Sequence, residues 1–368
     1  MINNKTICLC LIVKNEAKVI HRLIRSCKHI IDYYVICDTG SSDNTIEVIK
    51  KEMGDIKGEI HERKWIGFDV NRTELMEFAY KKSDYLLIAD ADEEFLITDD
   101  FYKEDFTYDW YHFRYVGEMD YTRIHLVNAN LKWVYKGKLH EYIDSDECGE
   151  SSELSSITTL HHDDGSSMLR EDKIKRDIEI LKKAIISEPK NERNYFYLGQ
   201  TYSDNKEYQK AIIYYEKRVE LGGWEEEVYY SMFKIGIMHY YLKNINTAII
   251  KLLEAYSYRP TRFETLYMLG IIYREQNKYH LARLFQVELL NMKYPSTDIL
   301  FIDRTSRDYL SDYELAICYY WMGDYETAKV HALVIKNKKD VPEDIVEQNE
   351  KNYNFIIDKI EEIKKGSQ

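Results

Sequence analysis

Four carboxylates, Asp90, Asp92, Glu93 and Glu94, stand within five positions directly after the apolar run Tyr85 to Ala89. Charges of one sign packed this closely repel unless a cation or a proton offsets them. An Asp-x-Asp pair offers hard oxygen ligands, and a divalent ion held by one or two carboxylates also grips a phosphate. The chemistry suggested is metal-assisted handling of a phosphorylated substrate, with Mn²⁺ or Mg²⁺ on Asp90 and Asp92. The plain alternative is a solvated acidic turn after a strand. Further along, His140-Glu141 and His161-His162-Asp163-Asp164 set imidazoles beside carboxylates. Such groups can move protons or add a metal ligand, and they serve equally as turns. No second Cys or His pair stands at zinc spacing near 161–164.

These groups need a scaffold to position them. Apolar runs at 6–13, 33–37 and 85–89 read as parallel strands buried on both faces, with helical stretches at about 16–29, 44–53 and 69–82 between them. This alternation predicts a doubly wound α/β sheet. Ligands of such sheets bind beyond the carboxyl ends of the strands, where Asp38 and Asp90 fall. Asp38 can accept hydrogen bonds from a base or ribose there, or can organise the turn. For Asp43, the turn and helix-cap reading is preferred. Asn44-Thr-Ile-Glu47 predicts a capping box for the second helix. After Phe95 the aromatic segments 108–116, 121–128 and 131–135 predict antiparallel strands added to the sheet, with a last strand near 156–160.

From about residue 170 the pattern becomes helical and repetitive. Leu198-Gly199-x-x-Tyr202 with Tyr208 and Ala211 recurs as Ile235-Gly236-x-x-His239 with Ile245 and Ala248. It recurs again as Leu269-Gly270-x-x-Tyr273 with Tyr279 and Ala282, and as Leu315-Ala316-x-x-Tyr319 with Tyr325 and Ala328. A period near 34 residues with this signature resembles the tetratricopeptide repeat. Small residues at the Gly and Ala positions let the two helices of a repeat approach closely. The longer last interval predicts an insertion around 296–311, either structural or in contact with a ligand. The charged stretch 342–365 predicts a capping helix. The domains expected are 1–168 and 169–368.

Composition bounds the partners. A net charge of −13 opposes a nucleic-acid footprint. No apolar run approaches the ~18 residues of a membrane span. Thr6 to Val13 lacks a small-residue cleavage site and reads as a strand. The six cysteines form no C-x-x-C pair; Cys8 and Cys10 share one face of a strand and are expected in the core. A reduced, cytoplasmic compartment follows as the expectation. The phosphate-loop and dinucleotide glycine motifs, and the G-x-S-x-G context of serine hydrolases, are absent.

Ile12-Val-Lys-Asn-Glu16, Cys37 to Thr45, Asn71-Arg72 and Asp90-Ala-Asp92 resemble, in order and spacing, the family 2 glycosyltransferases. Arg123-Ile-His, then Trp133 to Glu141, resemble the branch of that family that carries tetratricopeptide repeats. The resemblance implies a GT-A fold (α/β, mostly parallel, with added antiparallel strands) followed by an all-α solenoid. It implies a nucleotide-sugar donor, expected to be a UDP-sugar, and inverting transfer. Asn15 and Glu16 would line the nucleoside pocket, Asp38 would contact the base, and Arg72 would approach the base or diphosphate. Asp90 would sit near the ribose or metal, with Asp92 as principal metal ligand and His162, or its neighbour His161, as an additional one. Glu141 would be the general base, with Glu94 and Asp163 as rivals, and His140 would orient it or bind phosphate. Trp65 and Trp133 are candidates for sugar stacking. The acceptor, a protein, peptide or glycan, would meet the repeats, and a solenoid edge could also make a homodimer. Two rival readings remain at this stage: a sugar-nucleotide nucleotidyltransferase, and a catalytically inactive repeat scaffold.

Overall fold

In the computed structural model the described residues are 5–102, 106–116, 121–162, 170–295, 297–339 and 341–366. They fall into two compact units, Met1–Thr201 and Tyr202–Gln368.

The first unit opens with β1 (Ile7–Val13), α1 (Ile20–Cys27), β2 (Tyr33–Asp38), α2 (Thr45–Met53), β3 (Lys57–Glu62), α3 (Phe68–Ala79) and β4 (Tyr85–Ile88). It continues with β5 (Glu93–Ile97), β6 (Trp110–Tyr115), β7 (Thr122–Asn128), β8 (Val134–Lys136), β9 (Tyr142–Asp144) and β10 (Ser151–His161). Eight strands form one sheet in the order β3-β2-β1-β4-β7-β6-β10-β5, while β8 and β9 pair separately. β3, β2, β1 and β4 are parallel; β7 joins β4 antiparallel. The alternation of β1 explains why helices cover both faces. Ile7, Leu9, Leu11 and Val13 pack with α1 and α2 residues such as Leu23 and Ile49, whereas Cys8 and Cys10 pack with Leu75 and Met76 of α3. This is the α/β layout expected of a GT-A-like domain.

Four local expectations are corrected. β3 was not foreseen, because Lys57-Gly-Glu-Ile-His-Glu62 holds one aliphatic residue; its pairing with β2 at the sheet edge makes it a strand. The acidic cluster does not stay at the strand end, since Glu93 and Glu94 open β5 and pair with His161 and Leu160 of β10. The 131–135 segment does not extend the main sheet, and its strand is the β8 of the separate ribbon. The capping box is absent: Asn44 makes no side-chain cap, and Asp43 instead accepts from the Thr45 N–H at 3.1 Å.

Two more helices, α4 (Arg170–Ser187) and α5 (Glu192–Asp204), follow β10, and the division between the units falls within α5. The second unit continues with α6 (Tyr208–Leu221), α7 (Glu225–Tyr241), α8 (Ile245–Tyr258), α9 (Glu264–Glu275), α10 (Tyr279–Asn291), α11 (Ser311–Trp321), α12 (Tyr325–Asn337) and α13 (Glu343–Gly366). Consecutive helices pack on one another through the unit, the arrangement of a tetratricopeptide-like solenoid. Lys206, Lys243, Asn277 and Gly323 each adopt positive φ two residues before the second helix of a repeat. Ala211, Ala248, Ala282 and Ala328 are fully buried.

A Cβ on Gly236 would lie 2.7 Å from Leu252 Cγ, and one on Gly270 would strike the buried Gln286 amide. Gly236→Ala gains about 1 kcal/mol of helix propensity but overpacks the helix contact at a cost of about 1–3 kcal/mol. A lower melting temperature is expected, and an unchanged or higher one would remove close approach as the reason for this glycine.

The expected insertion is structural. Arg259 chelates Asp298 with two bonds of 2.7 Å, Arg262 donates to the carbonyls of Leu300 and Phe301 at 3.0 Å, and Glu226 accepts from the Ile299 and Leu300 N–H groups at 2.8 Å. The capping helix α13 buries Ile356 and Ile360 against Ala328 and Ala332 of α12. Among the described residues no helix is long and apolar enough to cross a membrane.

Candidate active site

At the carboxyl ends of β1, β2 and β4 a cleft of about 870 Å³ opens. It is lined by Ile12 to Glu16 after β1, Thr39 after β2, Trp65 to Val70 leading into α3, and Asp90 to Asp92 after β4. Arg72 of α3, Lys138, His161, and Lys173, Arg176 and Ile180 of α4 complete it. It lies where an open α/β sheet binds its ligands. Cations and carboxylates share this lining, and Trp65, set edge-on to Phe68 at 4.7 Å, adds an aromatic face.

The turns after β1 and β2 hold each other. Asn15 adopts φ 58°, its N–H donates to the Ser41 hydroxyl at 3.0 Å, and its Oδ1 accepts from Ser42 N–H at 2.7 Å. Asp38 is buried and accepts from the Ser41 N–H at 3.1 Å and the Ser41 hydroxyl at 2.5 Å. Asp38 therefore braces the turn, and Thr39 borders the cleft in its place. Asn15 and Glu16 do border it.

Asp90 is shared by two guanidiniums. Arg72 Nη2 donates to its Oδ1, and Arg123 Nη1 donates to its Oδ2 at 2.7 Å. Arg72, 4% exposed, also ion-pairs through Nε with Glu141 Oε1 at 2.8 Å. Behind them Glu93 accepts from the Asp90 N–H at 2.7 Å, from Arg123 at 3.4 Å, and from the Tyr115 hydroxyl. His125 completes the chain, with Nε2 3.0 Å from the Tyr115 hydroxyl and Nδ1 2.7 Å from the Ile88 carbonyl. Burial pushes the Asp90 carboxyl upward, but Arg72 and Arg123 outweigh it and hold it well below the usual carboxylate range.

Asp92 stands apart from this network. Its side chain is 23% exposed, and its Oδ1 lies 3.9 Å from His161 Nδ1. Burial raises its carboxyl above the ordinary value; His161 opposes this, while Asp90 and Glu93 add to it. His162 is turned away: its Nε2 is 2.8 Å from Glu94 Oε2. Successive side chains of an extended chain point to opposite sides, so only one of the two histidines reaches Asp92.

The expected site residues thus divide. Asn15, Glu16, Arg72, Asp90 and Asp92 meet at the cleft, with His161 replacing His162. Glu141 does not border the cleft, because its carboxylate is spent on Arg72. His140, at φ 51°, stacks on Tyr197 with ring centroids 4.1 Å apart and also lies outside the lining. Of the rival carboxylates, Glu94 is occupied by His162, and Asp163 lies outside the described residues. Trp65 borders the cleft, whereas Trp133 is buried in the core and donates to the Asn128 carbonyl at 2.8 Å. The supporting roles of Arg123, Glu93, Tyr115 and His125 were not foreseen. Arg123 and His125 sit two apart on β7, a polar pair on one strand face that signals a buried network.

Residues 8–102 match the family model described as glycosyl transferase family 2. The SPbeta prophage-derived glycosyltransferase SunS of Bacillus subtilis (strain 168) is 25% identical over 232 residues, 58% of this chain and 53% of that protein. The glycosyltransferase SunS of Bacillus phage SPbeta matches to the same extent. The chain spans about half the length of these curated relatives. Among solved structures, similarity extends to YrrB, a TPR protein with an unusual peptide-binding site, at TM-score 0.37 and 15% identity over 49% of this chain and 85% of that one. MamA matches at TM-score 0.35 and 18% identity over 54% of this chain and 99% of that one.

The donor set bordering the cleft suits an ion that completes its coordination from a substrate. Among the described residues no group of three or more His, Cys, Asp or Glu could hold a metal alone. Asp92 and His161, adjacent and both bordering the cleft, can supply one or two ligands, the mode in which Mg²⁺-type sites add phosphate oxygens and water. Asp90 is less suited, since its two oxygens already serve Arg72 and Arg123.

The depressed Asp90 carboxyl also ties the domain's stability to pH. Its contribution is fully present above the unfolded carboxylate value of about 3.9 and is lost as pH falls through the folded value. Asp90→Asn should therefore show a shallower fall of melting temperature between about pH 5 and pH 3 than the parent protein. Parallel curves would show that Asp90 is not held by its arginines in solution.

Proposed function

We propose that the chain is a metal-dependent glycosyltransferase that moves a sugar from a nucleotide sugar, a UDP-sugar in the first instance, to an acceptor with inversion. The observation that carries this reading is the pairing of Asp92 with His161 in a cleft of the family 2 domain that also presents Lys14, Lys173 and Arg176. A bound Mn²⁺ or Mg²⁺ would neutralise the charge that develops on the departing diphosphate. The chain's own residues do the positioning. Asn15 and Glu16 border the nucleoside end, Lys14, Lys173 and Arg176 offer cations for phosphate oxygens, and Trp65 offers a face for a ring. Arg72, pinned by Asp90 and Glu141, stays charged at the cleft, because its carboxylate partners more than offset the effect of burial.

The test is thermal. UDP with Mn²⁺ should raise the melting temperature of the full chain, by mass action on the folded state. Asp92→Asn should abolish the Mn²⁺-dependent part of that rise. An absent rise in the parent protein would overturn the donor-site reading, and one that ignores the substitution would remove Asp92 from it.

A further inference from the structure

A second cavity of about 350 Å³ adjoins the donor cleft within the first unit, and Asp69 and Lys138 line both. Its remaining lining comes from the β8–β9 ribbon, from the turn between α4 and α5, and from Arg193 and Asn194 in the first turn of α5. Asn194 belongs to this lining, is 4% exposed, and its Nδ2 has no hydrogen-bond partner among the described residues. A buried donor left unmade costs stability and calls for a reason. The terminal torsion of the amide is soft, so the donor can reorient to meet a ligand.

Lys136 and Lys138 pair with Asp144 and Asp69, each at 2.6 Å, and the remaining charged and amide groups of the lining are planar. Glu188 accepts from Asn191 at 2.8 Å, and the Arg193 guanidinium lies 4.8 Å over the ring of Tyr142. Tyr142 itself is 42% exposed. Planar amide, carboxylate and guanidinium groups each present two polar atoms at the spacing of neighbouring hydroxyls, and an aromatic ring offers its face to C–H groups. Leu139 is the single aliphatic side chain in the lining. A peptide's side chains would find almost no apolar recess here, whereas a sugar ring would be matched on its edges and on one face.

We infer that this cavity is the acceptor subsite and takes a saccharide. A hydroxyl oxygen next to Asp69, at the junction with the donor cleft, would bond to the donor's anomeric carbon as that carbon's bond to the diphosphate breaks, with UDP leaving and the hydroxyl proton passing to the Asp69 carboxylate. The inference rests on the glycosyltransferase reading above and names its acceptor class. Saturation-transfer NMR on the full chain with UDP and Mn²⁺ tests it. The probes are the methyl glycosides of glucose, galactose, mannose and N-acetylglucosamine, with the blocked tripeptide acetyl-Gly-Ser-Gly-amide as comparison. At least one glycoside should receive saturation, and Asn194→Leu and Tyr142→Ala should each weaken its binding about tenfold. The UDP–Mn²⁺ melting shift of each variant shows that it is folded. Silence from all four glycosides, signal from the tripeptide alone, or a glycoside signal that survives both substitutions would overturn the subsite. If the parent protein shows no UDP–Mn²⁺ melting shift, it is the donor-site reading that fails instead.

Discussion

Replacing Asp92 by Asn should lower metal-dependent release of UDP from the donor by about 10²-fold or more while the fold persists. The magnitude follows from the loss of one preorganised charge interaction at a developing oxyanion, which is worth about 10²–10³ in rate. The side chain is partly exposed, and an amide of the same shape as the carboxylate fits the same space. Burial raises the Asp92 carboxyl, with His161 opposing and Asp90 and Glu93 adding to the shift, and a bound cation would favour the ionised form. His161→Ala should act in the same direction with a smaller effect, and His162→Ala should act on the Glu94 contact instead. Release of UDP by each variant, followed alongside its melting temperature, separates these outcomes.

Arg72→Met has the largest expected effect on stability. It leaves Glu141, whose side chain is 10% exposed, without its cation and halves the compensation of Asp90. Removing one partner of a buried pair costs about 3–5 kcal/mol. Adding Glu141→Gln to the Arg72→Met chain should return part of the loss, since the uncompensated charge is then gone. Glu141→Gln alone should destabilise the fold. A Glu141→Gln chain that is fully stable yet has lost transfer would restore the general-base role that its ion pair argues against. Melting temperatures of the four-member cycle decide the point.

The parallel core of the sheet was legible because β1, β2 and β4 are continuous apolar runs, and the repeats because Gly236 and Gly270 recur in register with Ala248 and Ala282. β3 was hidden because its strand character lies in pairing with β2, not in its own residues. Within the site, order along the chain located Asn15, Arg72, Asp90 and Asp92 at one cleft. It did not reveal that Asp90 is claimed by Arg72 and Arg123, since Arg123 arrives from β7, 33 residues away. The choice between His161 and His162 depended on the phase of β10, which a one-residue shift inverts. Glu141 looked like a base from its motif alone, and only the position of Arg72 at 2.8 Å shows where its charge is used.

The central claim is that Asp92 anchors a metal-dependent donor site. Its most direct measurement is the nucleotide released from UDP-glucose, UDP-galactose, UDP-N-acetylglucosamine and GDP-mannose, with water as acceptor, in Mn²⁺ and after chelation. Release of UDP from at least one UDP-sugar is expected, lost on chelation and lost in Asp92→Asn. Release that persists in the chelator and in the variant, or no release from any donor, would contradict it.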